Sequence, residues 1–327
     1  PPPPPPLFFF SCSRRHTSLL FVSWALRCVY ETVPLVGIVD TNNSPDVLEY
    51  LWLQLDQNIR KKDAPALQKN SEGDTAHNII NNLINESQVD RFAARHLEDP
   101  FNGGFNIQWV KDEFNQSLSY TINMTMMRVD LPQPLKKGEK FKFSIKWWYN
   151  INDHVKKRAR SGYELFPKDG NRLYVIAQFF PRMCMYDDVE GWQNYQFWGD
   201  GEFALPFGNY EVNITVPADH IMEATGELIN RKEVYSKEMM KRYNKAKKTI
   251  DEPVIIVNQD EAEMAEKSFS KDKKTWKFVA ENVRDFAFAT SRKYLLDMMS
   301  VKIGNKDVMA VSLYPKEGNP LWEDYST

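Results

Sequence analysis

Histidine is the residue type to weigh first, because it serves both as general base and as the commonest metal ligand. The chain has five: His16, His77, His96, His154 and His220. No two lie three or four residues apart, so no helix face could present a pair to zinc, and H-E-x-x-H is absent. His154 stands in NDHVKKR, beside cations. The ordinary reading of all five is a surface or strand-end imidazole. Asp187, Asp188 and Glu190 follow Tyr186 closely. Clustered carboxylates can bind Ca²⁺ or a substrate amine, but this spacing is not that of an EF-hand loop, and a solvated loop is the commoner meaning. G-x-S-x-G, P-loop and G-x-G-x-x-G patterns are all missing. Tyr195, Phe197, Trp198, Phe203, Phe207 and Tyr210 crowd one short span. They would line a groove for sugar or peptide, or fill the core of a sheet; their alternation favours the sheet. Cys12, Cys28 and Cys184 form no C-x-x-C, which excludes a disulfide framework and a Cys-rich zinc knuckle while leaving a Cys12–Cys28 bridge open. Sequons begin at Asn42, Asn85, Asn115, Asn123 and Asn213 and point weakly to secretion.

The elements that would hold these residues read mostly as strands. Apolar residues make up 42% and charged ones 26% of the 327, which is globular and not disordered. The formal charge of −2 argues against a nucleic-acid partner, whose phosphates demand excess positive charge. Aromatics at 13% suit sheets better than long helices. Alternation marks strands at Leu48–Leu55, at FNIQWVKDEF, at LSYTINMTMMRVDL and at KFKFSIKWWYNI, with PQPLKKGEK read as the turn between the last two. Further strands flank the KDGN turn, and a hairpin closes around Gly304–Asn305. Helices are expected at Glu233–Lys248 and Glu261–Lys267. Residues 57–100 read as a polar surface excursion. Residues 1–36 open on six prolines, and Arg14 and Arg15 precede a short apolar run; they read as a leader or as sequence foreign to the fold, packed outside the core. No segment is apolar for long enough to span a membrane.

Several segments, in order, carry a resemblance. TNNSPD, AQFFPRMCMYDDVEGWQN, VPADHIMEATGELIN, AENVRDFAFATSRKY and YPKEGNPLW resemble the N-terminal part of the aminopeptidase N family of zinc metallopeptidases, the gluzincins, in their bacterial secreted branch. The likeness covers about Ile38 to Thr327. It implies a mainly β fold, a large saddle-like or β-sandwich domain with minor helices over 37–290. It implies that 291–327 begins a thermolysin-like catalytic domain cut off before its zinc motifs. Zinc is the cofactor of the full-length family; none is expected in this chain, and no hydrolysis by it alone. The implied partners are a peptide substrate and the missing catalytic domain, with neither nucleic acid nor a transmembrane segment. The implied location is secreted, periplasmic or cell-envelope. A non-catalytic interaction scaffold of the same fold is the alternative. The family's substrate segment carries Gln-x-Glu, whose Glu grips the free amino group. Gln178 matches the Gln and is the one candidate substrate-binding residue; Phe180 replaces the Glu. Gln178 is expected on the surface near a strand end, with Phe180 beside it in an exposed apolar patch.

Overall fold

A computed structural model of the chain describes residues 34–61, 64, 101–157, 161–197, 204–250 and 252–325, together with the backbone of 17–25. Strand accounts for 49% of the described residues and helix for 15%, so the chain is mainly β, as the alternation predicts. The strands in chain order are β1 (Thr17–Ala25), β2 (Leu35–Thr41), β3 (Leu48–Gln54), β4 (Asn106–Asp112), β5 (Tyr120–Asn123), β6 (Met126–Leu135) and β7 (Lys140–Trp148). Next come β8 (Gly162–Phe166), β9 (Asn171–Ile176), β10 (Arg182–Met183), β11 (Tyr186–Asp187), β12 (Gly191–Trp192), β13 (Gly208–Pro217) and β14 (Ile221–Ala224). The last are β15 (Glu227–Leu228), β16 (Val254–Val257), β17 (Lys273–Val283), β18 (Phe288–Ser291), β19 (Tyr294–Ile303) and β20 (Lys306–Pro315). Among the described residues five short helices accompany them: α1 (His154–Lys157), α2 (Arg231–Val234), α3 (Lys237–Ala246), α4 (Gln259–Glu266) and α5 (Leu321–Tyr325).

The chain divides into two compact units. The first comprises Pro1–Gly162, Ala177–Val212 and Ala280–Phe286; the second comprises Tyr163–Ile176, Asn213–Val279 and Ala287–Thr327. In the first unit β1, β2, β7 and β4 pair antiparallel in that order, and β10, β3, β6 and β5 form a second sheet. Its core is apolar at every second position: Val36 and Ile38, Leu51 and Leu53, Phe143, Ile145 and Trp147 are all buried. Such alternation puts one face of a strand inward, and each of these side chains contributes about 1.5–3 kcal/mol on burial. In the second unit β14, β18, β9 and β8 make one sheet and β16, β19 and β20 another. β19 and β20 pair over ten positions, from Tyr294↔Pro315 to Ile303↔Lys306. The two-residue turn between them puts Gly304 at a φ of 59°, which only glycine adopts without strain.

Four features depart from the sequence reading. Thr17–Ala25 lies in the segment set apart as a leader, yet its backbone pairs with β2 from Thr17↔Thr41 to Ser23↔Leu35. TSLLFVSWA is rich in β-branched and aromatic residues, a strand-forming composition. The expected helix at 233–248 is two helices, because Ser236 is extended and its hydroxyl caps α3 by accepting from the Met239 N–H at 3.1 Å. PQPL belongs to β6, and the turn is confined to the residues after it. Residues 57–60, read as surface, belong to a buried 3-10 turn, Asp56–Arg60; 62–63 and 65–100 lie outside the described residues.

Candidate functional site

The 3-10 turn Asp56–Arg60 follows β3 directly and buries four polar side chains in the first unit. Buried polar groups need partners, and each is aimed at one. The Arg182 guanidinium donates to Asp56 through both Nε (3.0 Å) and a terminal nitrogen (2.7 Å), and its other terminal nitrogen donates to Asp285 at 2.7 Å. Burial pushes the Asp56 carboxyl up, against the pull of Arg182. Burial also works against the Arg182 charge, but Asp56 and Asp285 outweigh it and hold the guanidinium above its ordinary value. Asn58 donates to the Met124 carbonyl at 2.8 Å and accepts from the Phe105 N–H at 2.8 Å. Gln57 accepts from Arg60 at 3.0 Å and donates through Nε2 to the Gln178 carbonyl at 2.9 Å.

Gln178 is therefore held by its main chain. The Ala177 N–H donates to the Ser161 hydroxyl at 3.0 Å, and Gln178 itself has a φ of 54°. That left-handed residue stops the extended run two positions after β9 ends. Its side chain is half-buried, and its amide makes no hydrogen bond to another described residue. Gln178 thus sits past the end of β9, half-buried. The expected exposure of Phe180 is not found: Phe179 and Phe180 are both fully buried. Phe180 packs edge-on to Tyr210, which stacks on Phe286, and the Phe179 carbonyl accepts from the Trp147 indole at 3.1 Å. The rule that residues two apart share a side applies to strands. The left-handed turn at Gln178 removes it here, so Phe180 goes into the core.

Asp187, Asp188 and Glu190 lie on and around the β11–β12 hairpin. Asp187 accepts from the Val189 and Glu190 N–H groups at 2.9 Å each and from Gln193 at 2.7 Å, so it shapes the turn. Tyr195 donates to Glu190 at 2.6 Å, and Tyr186 donates to Asp46 at 2.7 Å. The bond to Asp46 pushes the Tyr186 phenol up to about 12. Of the sequons, Asn42 is fully buried and donates to the carbonyls of Asp46 and Leu135, whereas Asn115 and Asn123 are exposed.

The two described histidines belong to different units. His154 opens α1; His220, in the second unit, is buried with Nδ1 at 3.2 Å from the Thr290 hydroxyl. Burial pulls the His220 imidazole down to about 3, so it is neutral at pH 7. His16, His77 and His96 lie outside the described residues. A convergence that the sequence reading missed lies in the second unit. Asp169, Glu266 and Glu317 bring carboxylate oxygens within 4.8 Å of one another. The Lys293 ammonium fills that space, at 2.5 Å from Asp169 and 2.8 Å from each of the two glutamates. Burial opposes the Lys293 charge, but the three carboxylates overcome it and raise its pKa. The set leaves no local mark in the sequence, since its members come from a turn, the end of α4, the bend between β18 and β19 and a 3-10 turn.

No family model matches the chain, and no curated protein does. Among solved structures it is similar to an M1 zinc metallopeptidase from Deinococcus radiodurans, at a TM-score of 0.46 and 11% identity, over 94% of this chain and 48% of that one. A mutant of that protein bound to a Tyr-Ser-Ala substrate gives 0.44 and 11%, with the same coverage. A two-domain M1 zinc metallopeptidase mutant bound to L-arginine gives 0.43 and 11%, again over 94% and 48%. The chain thus spans about half the length of these proteins. The likeness is one of coarse fold and carries no residue role.

Proposed function

We propose that this chain is the N-terminal substrate-cleft domain of a zinc peptidase of the aminopeptidase N type, and that Gln178 is its contribution to the peptide site. The carrying observation is the Gln178 clamp. Gln57 and the left-handed backbone fix the main chain, while the side-chain amide stays half-exposed without a hydrogen bond to another described residue. A positioned primary amide offers one acceptor and two donors, the complement of a peptide group. The ordered sequence segments support the family reading.

The described residues do not fit a zinc ion. No histidine pair has helical ligand spacing, and the one convergent carboxylate group among the described residues is filled by the Lys293 ammonium. In the proposed full-length protein the metal and its chemistry belong to residues outside these 327, and we place that protein in a secreted or envelope compartment. A second reading, a non-catalytic interaction scaffold of the same fold, is favoured by Phe180, whose buried ring cannot pair with a substrate ammonium. Calorimetric titration of the chain with short unblocked peptides tests the first reading. Weak binding that Gln178→Ala abolishes supports it. Binding that is indifferent to Gln178→Ala, or none at all, favours the scaffold.

A further inference from the structure

We infer that Arg60 and Tyr149, in the first unit, form a site for a carboxylate monoanion, taken up between the guanidinium edge and the phenol hydroxyl. The site is independent of the role given to Gln178.

Arg60 closes the 3-10 turn and is 8% exposed. One terminal nitrogen donates to Gln57 at 3.0 Å. Its Nε is buried and has no acceptor among the described residues. No described carboxylate forms an ion pair with it, because both oxygens of Asp56, its neighbour in the turn, are taken by Arg182. A charge withdrawn from water is ordinarily paired. Tyr149 follows β7, is 9% exposed, and its hydroxyl too has no partner among the described residues. Buried phenols ordinarily find one. The two exceptions lie together. Residues 103–105 join them: the Gly103 N–H donates to the Arg60 carbonyl at 2.9 Å, and the Phe105 ring packs edge-on to Tyr149 at 5.6 Å. At Gly103 an added Cβ would stand 2.7 Å from the Arg60 Cβ, so the strap lies directly on the arginine stem. Burial pulls the Arg60 guanidinium down, while Tyr149 and Asp56 oppose that pull. Burial pushes the Tyr149 phenol up, so at pH 7 it is a protonated donor and no counter-charge.

The chemistry of the free donors selects the ligand. Arg182 holds the Asp56 carboxylate through Nε and one terminal nitrogen, one oxygen to each. Arg60 has given one terminal nitrogen to Gln57, and the edge left over is the same fork of Nε and a terminal nitrogen. That planar fork matches the two oxygens of a carboxylate. The Tyr149 hydroxyl adds a third donor for a remaining lone pair. One positive charge suits one negative charge; a dianion would leave charge buried without a partner. A neutral amide of the same shape would turn N–H groups against donors.

The test follows the Arg60 Nε–H signal of the full ¹⁵N-labelled chain, assigned by its loss in Arg60→Lys, as sodium acetate is added. The signal should shift and saturate, with half-saturation on the order of 1–10 mM, within reach of so small a ligand. Acetamide, and sodium chloride in a parallel titration, should leave it nearly unmoved. Tyr149→Phe should weaken acetate about fivefold or more. Arg128→Gln, at an exposed arginine of the same unit, should change nothing. Acetate should also raise the melting temperature of the native chain. Arg60→Lys, which keeps the charge without the fork, should abolish that rise. Trialanine and its C-terminal amide separate the sources. A shift with the acid alone identifies a peptide end, and a shift with acetate only identifies a small free acid; either supports the site. If circular dichroism shows Arg60→Lys unfolded, Tyr149→Phe, which removes a single oxygen, still decides. No saturable shift, a response to acetamide or chloride as strong as to acetate, or native affinity in Tyr149→Phe would overturn the proposal.

Discussion

Replacing Lys293 by Met removes the ammonium and leaves Asp169, Glu266 and Glu317 within 4.8 Å of one another. Two unit charges at that separation repel by about 3.5 kcal/mol at an effective dielectric of about 20. Asp169 and Glu317 are partly exposed, which screens their share, and Lys316 still donates to Glu266 at 2.9 Å. Breaking a buried pair by removing one partner costs about 3–5 kcal/mol; with Lys316 retained, the lower end, about 3 kcal/mol, is expected. The pH dependence gives a second, signed readout. The folded Lys293 pKa lies above its ordinary 10.5, so its stabilisation is fully present below that value and is lost as pH rises through the folded value. The native protein should therefore lose this contribution only in alkali. In the variant the crowded carboxylates repel one another, and taking up a proton relieves that repulsion only in the folded form. Its stability should then rise as pH falls from about 7 to about 5, narrowing the gap to the native protein. Urea unfolding followed by tryptophan fluorescence at both pH values measures both effects. A loss below about 1 kcal/mol at pH 7, or a gap that widens on acidification, would refute the reasoning.

Other consequences follow from the same structure. Phe180→Ala should destabilise the protein by about 3–5 kcal/mol in urea titration, as a core truncation does; a change near zero would return Phe180 to the surface. His220 has a folded pKa near 3 against an ordinary 6.5, so its neutral form contributes stability present above 6.5 and lost as pH falls through the folded value. His220→Gln should flatten the acid limb of the stability curve by about 1.4 kcal/mol per pH unit, read from unfolding at a series of pH values. Burial raises the Cys184 thiol. In a Cys12→Ser, Cys28→Ser background it should resist a thiol reagent until the protein is unfolded.

Much of the fold is written in local pattern. β13 alternates buried and half-buried residues throughout, and the Gly304–Asn305 turn joins the paired strands β19 and β20. Asn258 and Glu261 form a capping box that starts α4 two residues before the helix read from composition. The candidate site was less legible. DQNIR looks like surface because four of its five side chains are polar, and Arg182, the partner of Asp56, lies far along the chain. Lys293 and its carboxylates hide for the same reason. Gln178 was reached through the resemblance of AQFFP. Its left-handed backbone, which sends Phe180 inward, leaves no mark in residue type, because glutamine gives no hint of a positive φ.

On the proposed function, the Gln178 side-chain amide meets the peptide. Its ¹⁵N–¹H₂ signals, assigned by their loss in Gln178→Ala, can be followed while an unblocked tripeptide is added. These signals should shift with saturation and show intermolecular contacts to the first peptide residue. Saturable peptide binding that moves other resonances and leaves the Gln178 amide unmoved would contradict it.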